Sequence, residues 1–324
     1  MCQVLPRMNI LFITSTRLGD GVLSTGALAY LADTYPDAKI TVACGPLVAG
    51  IFAACPQVTR VIALKKERYN MHWVKLWRAT AGTRWDIIVD LRNSLVSRLL
   101  RARTRYIWQT RDDTLHKVAQ IGAVIGVEPP PAPRFWFDDA AKSKAAAMIP
   151  SGKTVLAIGP AANWAAKTWP AENFIALIER LTKPDGIFPH AMVAVFAAPG
   201  EEETAYRVLN AIPAARQIDM IAKTSPIEAA AAIARCSFYI GNDSGLMHSA
   251  AAAGVPTLGL FGPSWPQLYR PWGPHTAFAQ TPESFDELVS YTGYDPKTAP
   301  CLMTTLTVET AYKTARALWL GVSR

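Results

Sequence analysis

The sequence predicts an α/β protein made of two doubly wound, Rossmann-like domains that face one another across a cleft. Three observations carry this prediction. The chain has 324 residues, long for one domain and sufficient for two separate cores. Apolar runs of strand length alternate with helical segments almost throughout, the pattern of parallel sheets covered on both faces. That series is interrupted at EPPPAP over residues 128–133, whose prolines suit a stiff connection and no regular element. The expected domains are 1–148 and 149–324, with the final helix a candidate for packing back on the N-terminal domain.

In the first series, residues 9–14 are continuously apolar and read as a buried parallel strand, followed by a loop over 15–21 and a helix over 22–34. Further strands are expected at 39–43, 58–64, 86–91 and 104–108, with helical segments at 47–53, 72–81, 95–101 and 115–125. Beyond the prolines a helix runs to residue 149. The second series places strands at 154–159, 191–197, 216–220, 238–240 and 257–261, and helices at 171–181, 201–211, 226–234 and 306–320.

Composition narrows the function classes. Half the residues are hydrophobic and 18% are charged, which excludes an extended disordered chain. The longest apolar runs, such as 229–234 and 250–260, are broken by Gly or Pro and fall below the roughly 18 residues of a spanning helix. Residues 1–8 lack the apolar core of a secretory signal and read as a short tail, with Met8 an alternative start. A cytoplasmic protein is expected. Five cysteines (Cys2, Cys44, Cys55, Cys236, Cys301) are odd in number and widely spread, with no C-x-x-C, so they read as structural thiols. The net charge of +8 implies an anionic partner. Lys65, Lys66, Arg68, Lys75, Arg78, Arg84, Arg92, Arg98, Arg101, Arg103, Arg105 and Arg111 concentrate it in the first half. They are scattered over several expected elements and form no nucleic-acid module, which favours an anionic lipid-linked or phosphorylated ligand over nucleic acid.

The most informative stretch is FYIGNDSGLMHSAAAAGVPTLGLFGP at 238–263. An apolar strand enters a polar turn that opens a small-residue helix, and unsatisfied N–H groups at such a helix start hold anions. Ser244 and Gly245 are therefore phosphate candidates. Asp243, as an anion, would compete for the same N–H groups, so it either caps the helix or accepts bonds from sugar hydroxyls. His248 lies four residues after Ser244 on the same face and either donates to a phosphate, acts as an acid, or packs between helix and sheet. In RLGDGVLST at 17–25, Asp20 sits between two glycines and is either a helix cap or a general base for a hydroxyl nucleophile. These glycines do not make G-x-G-x-x-G, which weakens a dehydrogenase reading. In GPAANWAAKTWP at 159–170, Lys167 precedes a helix with Pro170 at its start and could neutralise a diphosphate leaving group. Trp164 and Trp169 beside it suggest a ligand wall or domain packing. No Asp-x-Asp occurs, so the carboxylate pair of a metal-bound sugar diphosphate is missing and no metal or other cofactor is expected.

These residues resemble the ADP-heptose:lipopolysaccharide heptosyltransferases, inverting glycosyltransferases of the GT-B fold. The 243–248 turn with its alanine helix and Leu-Phe-Gly-Pro263 is similar to the family's donor signature, Arg17 to Asp20 to its acceptor loop, and Lys167-x-Trp-Pro170 to its diphosphate-contacting lysine. Residues 86–94 and 301–303 extend the likeness over nearly the whole chain. The resemblance implies that Asp20 is the catalytic base, that Lys167, Ser244 and Gly245 hold the diphosphate, that Asp243 orients the sugar, and that His248 supports the donor loop. Arg17, Gly19 and Arg92 then belong to the acceptor loops. It implies an ADP-sugar donor, an anionic lipopolysaccharide core acceptor, and peripheral contact with the inner membrane. Gly26 departs from the family, which commonly has proline there, as does the loop at 269–274. The alternatives are a transferase or epimerase using a different nucleotide sugar, or a non-catalytic nucleotide-sugar-binding relative.

Overall fold

A computed structural model describes residues 8–109, 111–295 and 298–322; Cys2 and the expected tail up to residue 7 lie outside them. The chain divides into two compact units, Met1–Phe137 and Asp138–Arg324. Each is a parallel sheet wound on both faces by helices, as the alternation of apolar and helical segments requires.

The first unit runs β1 (Asn9–Ile13), α1 (Leu18–Leu23), α2 (Thr25–Thr34), β2 (Lys39–Cys44), α3 (Ala49–Ala53), β3 (Val58–Ala63), α4 (Met71–Thr80), β4 (Trp85–Asp90), α5 (Leu95–Leu99), β5 (Ala102–Ile107) and α6 (Lys117–Val124). Its strand order is β3-β2-β1-β4-β5, all parallel. The order reverses beside β1, so the loops after β1 and β4 diverge there. Such a switch point opens a crevice at the carboxyl ends of the strands. The expected loop at 15–21 is largely helical: α1 starts at Leu18 and a break at Ser24 separates it from α2. The Ser24 hydroxyl makes that break, donating to the Gly21 carbonyl at 2.8 Å and accepting from Thr14 Oγ1 at 2.8 Å, a side-chain competition that disfavours a continuous helix.

Gly26 has a reason of its own in this fold. A Cβ there would fall on the Pro131 carbonyl oxygen and 2.9 Å from the Ala132 carbonyl carbon. The proline-rich segment therefore lies directly on α2. It is fastened there by Arg134, whose N–H donates to Thr25 Oγ1 at 3.1 Å and whose guanidinium pairs with Asp33 at 2.6 Å.

The second unit runs α7 (Asp139–Met148), β6 (Val155–Gly159), α8 (Ala171–Thr182), β7 (Met192–Ala197), α9 (Glu202–Asn210), β8 (Gln217–Ile221), α10 (Pro226–Ile233), β9 (Phe238–Asn242), α11 (Gly245–Ala252), β10 (Thr257–Phe261), α12 (Pro266–Tyr269), β11 (Thr276–Gln280), α13 (Phe285–Val289) and α14 (Val308–Val322). Its parallel order is β11-β10-β9-β6-β7-β8. Helix α7, which the sequence places in the first domain, packs on α10 of this unit, and α14 packs on α8, β10 and β11. Trp319 of α14 joins Phe188 and Phe238 in an aromatic cluster, with ring centroids 4.7 and 6.2 Å away. Strand β11 and helices α12 and α13 have no counterpart in the sequence reading. β6 and β9 approach through Gly159 and Gly241, which are register partners. The Tyr239 hydroxyl fills the space where both Cβ atoms would stand.

The Cys44 and Cys236 thiols are buried, and desolvation pushes both up to about 12. Because the thiolate is the reactive species, a thiol reagent at about pH 8 should spare both cysteines in the native protein and label them on unfolding, as read by mass spectrometry. Gly26→Ala should destabilise the first unit by about 1–3 kcal/mol through overpacking, measured by urea unfolding; an unchanged midpoint would refute the close contact.

Candidate functional site

In the first unit, the chain leaves β1 at Thr14, and Arg17 takes the extended conformation at the start of α1. Asp20 thus falls in the first helical turn rather than in a loop, where the helix N-terminus favours a carboxylate. Its Oδ2 accepts from Ser15 Oγ at 3.4 Å. Gly19 lies beside it in the same turn and is half-buried. At the end of β4, Asp90 is fully buried and accepts from the N–H groups of Arg92 and Ser94 at 2.8 and 2.7 Å and from Ser94 Oγ at 2.6 Å. Three bonds on one carboxylate fix the turn and leave the Arg92 side chain outside it. Trp108, beyond β5, donates its N–H to the Asp90 carbonyl at 2.9 Å. Lys117, the first residue of α6, holds its ammonium 3.9 Å from the centre of the Trp108 ring.

Thr14 to Arg17, Asp20, Arg92, Trp108 and Lys117 line one cavity of about 360 Å³. The structure therefore gathers Arg17, Asp20 and Arg92, as expected, and adds Lys117 and Trp108. Burial lowers the pKa of Lys117, and the Asp20 charge opposes that shift. One carboxylate among three cations can bind an anionic ligand while offering a proton acceptor to a hydroxyl on it. Lys117 lies far from Asp20 in sequence, so only its place at a helix start after an aromatic strand end could have singled it out.

In the second unit, the loop between β6 and α8 carries Lys167, and its path is set by one side chain at the end of β9. Asn242 is fully buried. Its Oδ1 accepts from the Trp169 N–H at 3.0 Å and its Nδ2 donates to the Pro160 carbonyl at 2.9 Å, so one amide grips both ends of the loop. From the other side, the Leu302 N–H donates to the Ala166 carbonyl at 2.9 Å and Cys301 Sγ approaches the Thr168 carbonyl at 3.1 Å. Trp169 itself is core: its ring meets Phe174 edge-on at 5.0 Å and its Nε1 donates to the Leu306 carbonyl at 2.8 Å. It anchors the loop from the core, and it also belongs to the lining of the depression beside that loop. Asn242 stands inside the 238–263 stretch, where nothing local marks it because its partners are remote in sequence.

So held, Lys167 points its ammonium at Asp243 Oδ2, 3.4 Å away, with exposures of only 17% and 10% for the two side chains. The other Asp243 oxygen lies 3.9 Å from His248 Nε2. Ser244 is the N-cap of α11, accepting from the Met247 N–H at 3.5 Å, so the capping alternative for Asp243 is filled by its neighbour. Ser244 and Gly245 are half-buried at the helix start, whereas His248 is buried. The cluster of Lys167, Asp243, Ser244 and Gly245 combines a cation with a helix N-terminus, an arrangement for a phosphate. A depression of about 550 Å³ lined by Asn163, Thr168, Glu201, Thr204 and Cys301 adjoins the same loop, within the size range of small-molecule sites. Among the described residues no group of three or more His, Cys, Asp or Glu side chains is placed to hold a metal ion.

Comparison with known proteins gives a consistent picture. Residues 73–287 match Glycosyltransferase family 9 (heptosyltransferase). Lipooligosaccharide heptosyltransferase 2 of Haemophilus influenzae is 24% identical over 306 residues, covering 82% of this chain and 86% of that protein. Among solved structures, a glycosyl transferase family 9 protein from Veillonella parvula superposes with a TM-score of 0.79 at 21% identity, covering 99% of this chain and 100% of that one. The Escherichia coli ADP-heptose lps heptosyltransferase II gives 0.76 at 22% identity, covering 98% and 100%.

Asn242→Ala removes both loop bonds and leaves the buried Trp169 N–H without its acceptor. A loss of about 2–4 kcal/mol is expected, together with faster proteolysis of the 160–169 loop than elsewhere. Cleavage no faster than in the parent protein would show that the loop is held by other contacts.

Proposed function

Because the chain belongs to glycosyltransferase family 9, the heptosyltransferases, we propose that it moves a heptose from ADP-heptose to a lipopolysaccharide core acceptor, with inversion at the anomeric carbon. The observation that carries the residue assignment is the cavity in which Asp20 lies among Arg17, Arg92 and Lys117. An acceptor bearing phosphates or acidic sugars is drawn to the three cations, which brings one of its hydroxyls to the carboxylate. Asp20 takes the hydroxyl proton as the oxygen bonds to the anomeric carbon, and the bond from that carbon to the diphosphate breaks with its electron pair leaving on ADP. Gly19 keeps the approach to Asp20 free of a side chain.

In the second unit, Lys167 and the start of α11 at Ser244 and Gly245 take the diphosphate and the negative charge that grows on it during bond cleavage. Asp243 pairs with Lys167 and is the group we assign to the sugar hydroxyls. His248, buried behind Asp243, supports the donor turn. With a lysine and a helix terminus balancing the charge, we assign the reaction no metal ion. The acceptor's lipid places the enzyme on the inner face of the inner membrane as a peripheral protein; among the described residues no helix is long and apolar enough to cross a membrane.

The test is release of ADP from ADP-heptose mixed with a heptose-deficient lipopolysaccharide, chelator present throughout. Acceptor-dependent release is expected, and Asp20→Asn should lower turnover by about 10²–10⁴-fold while leaving donor affinity unchanged. Near-normal turnover in the variant would remove Asp20 as the base. Tight donor binding without release would point to another acceptor or to a binding role.

A further inference from the structure

Six of the twelve large apolar side chains exposed among the described residues fall in two short segments of the first unit: Tyr69, Met71, Val74 and Trp77 at α4, and Leu95 and Leu99 on α5. The two helices are neighbours. Leu76 of α4 and Val96 of α5 enter the same core with Leu11, Ile13 and Ile88 of the sheet, so both helices lie on one side of it and turn their outer faces to solvent together. Around α4 the exposed arc carries Met71, Val74, Lys75, Trp77 and Arg78, all at positions that fall on one half of the helix. The apolar exposure is thus a contiguous face and not scatter.

Charge surrounds this face with one sign. Between residues 65 and 103 the sequence has ten Lys or Arg and three acids. All three acids are committed: Glu67 to Lys75 at 2.5 Å, Asp86 to the Asn9 N–H at 2.8 Å, and buried Asp90 to its turn. Lys65, Lys66, Arg68, Arg78, Arg98, Arg101 and Arg103 are exposed. The backbone at the edge of the face is also held in an unusual state. Tyr69 and Asn70 are consecutive left-handed residues, φ 52° and 58°, a conformation that costs a bulky residue energy. Its effect is to stand the Tyr69 ring 91% exposed beside Lys65, Lys66 and Arg68.

We propose that this α4–α5 face docks the protein on an anionic lipid bilayer, with the basic residues on the headgroups and Tyr69, Trp77, Leu95 and Leu99 entering the interface. Aromatic and aliphatic side chains ringed by Lys and Arg are what such a surface recognises: the charges draw the protein to it and the apolar groups resist salt once there. A folded acidic protein partner would meet the charges but would leave Tyr69 projecting alone from its loop. Leu95 follows Arg92 of the Asp20 cavity by three residues, so the face and that cavity share the connection between β4 and α5. The inference rests on the reading of a lipid-linked acceptor, yet its test contains no acceptor.

The full-length protein is floated with vesicles of phosphatidylcholine alone or mixed with phosphatidylglycerol, at low and high salt. Binding to the mixed vesicles and at least tenfold weaker binding to the neutral ones is expected, weakening with salt. The triple variant Lys65→Glu, Lys66→Glu, Arg68→Glu should lose binding about tenfold or more. The double variant Tyr69→Ser, Leu95→Ser should bind at low salt and release at high salt. Brominated acyl chains should quench tryptophan fluorescence in the parent and less in Trp77→Phe. Absence of binding to mixed vesicles, or binding that neither variant alters, overturns the proposal, as does tighter binding to a single-stranded RNA than to the vesicles. Transfer to a soluble, lipid-free acceptor should be unchanged in these variants. Vesicle binding without any transfer would overturn the transferase reading and leave this one standing.

Discussion

A single buried amide at the end of β9 fixes where the second unit can place charge. Asn242 accepts from one end of the 160–169 loop and donates to the other, and in a site sealed from water neither bond has a solvent substitute. The loop is pulled onto the strand end, Trp169 drops into the core as its stop, and Lys167 is left facing Asp243. An ammonium on a free loop would hold that geometry only at a large cost in side-chain and backbone entropy. The strand end, the loop and the start of α11 thus act as one rigid group, with their polar atoms turned to a common point.

The first unit solves a related problem differently. Its carboxylate and cations come from three separate strand-to-helix connections: Arg17 and Asp20 after β1, Arg92 after β4, and Lys117 after β5. Here too a buried polar side chain at a strand end sets a turn: the Asp90 carboxylate shapes the connection after β4 that carries Arg92 and receives none of the cavity's cations. Asp20 gains from the helix start beneath it and from Lys117, whose partial burial against Trp108 keeps its charge local and little screened.

Much of this could be read in the sequence, and what could not has physical causes. Buried parallel strands are apolar throughout, so β1, β6, β7 and β10 declare themselves, and the turn at 243–245 is visible because polar residues interrupt an apolar run. β11 is hidden: it is a half-buried edge strand whose sequence, TAFAQ, shows neither a continuous run nor a clean alternation. α1 is hidden by Gly19 and Gly21, poor helix formers; Gly21 is there because Val48 leaves no room for a Cβ. α13 did carry a legible signal, the capping box of Ser284 and Glu287. Asp20 and Lys167 were found as local motifs, whereas Lys117 and Asn242 matter through partners that only the folded chain brings near.

The packing of Tyr239 against Gly159 and Gly241 has a bearing on how sequences of this kind can diverge. Each position taken singly is closed: a methyl at 159 or 241 meets the phenol, and no neighbouring backbone can retreat from a sheet held by its own ladder. Shortening residue 239 first would clear the obstacle at 159, whereas a Cβ at 241 would still stand 2.8 Å from the Gly159 carbonyl oxygen. Positions 159 and 239 therefore constitute one mutational unit, in which order matters, while 241 stays closed by backbone. A one-at-a-time substitution scan would score residue 159 as intolerant and miss the route by which it can change, after residue 239.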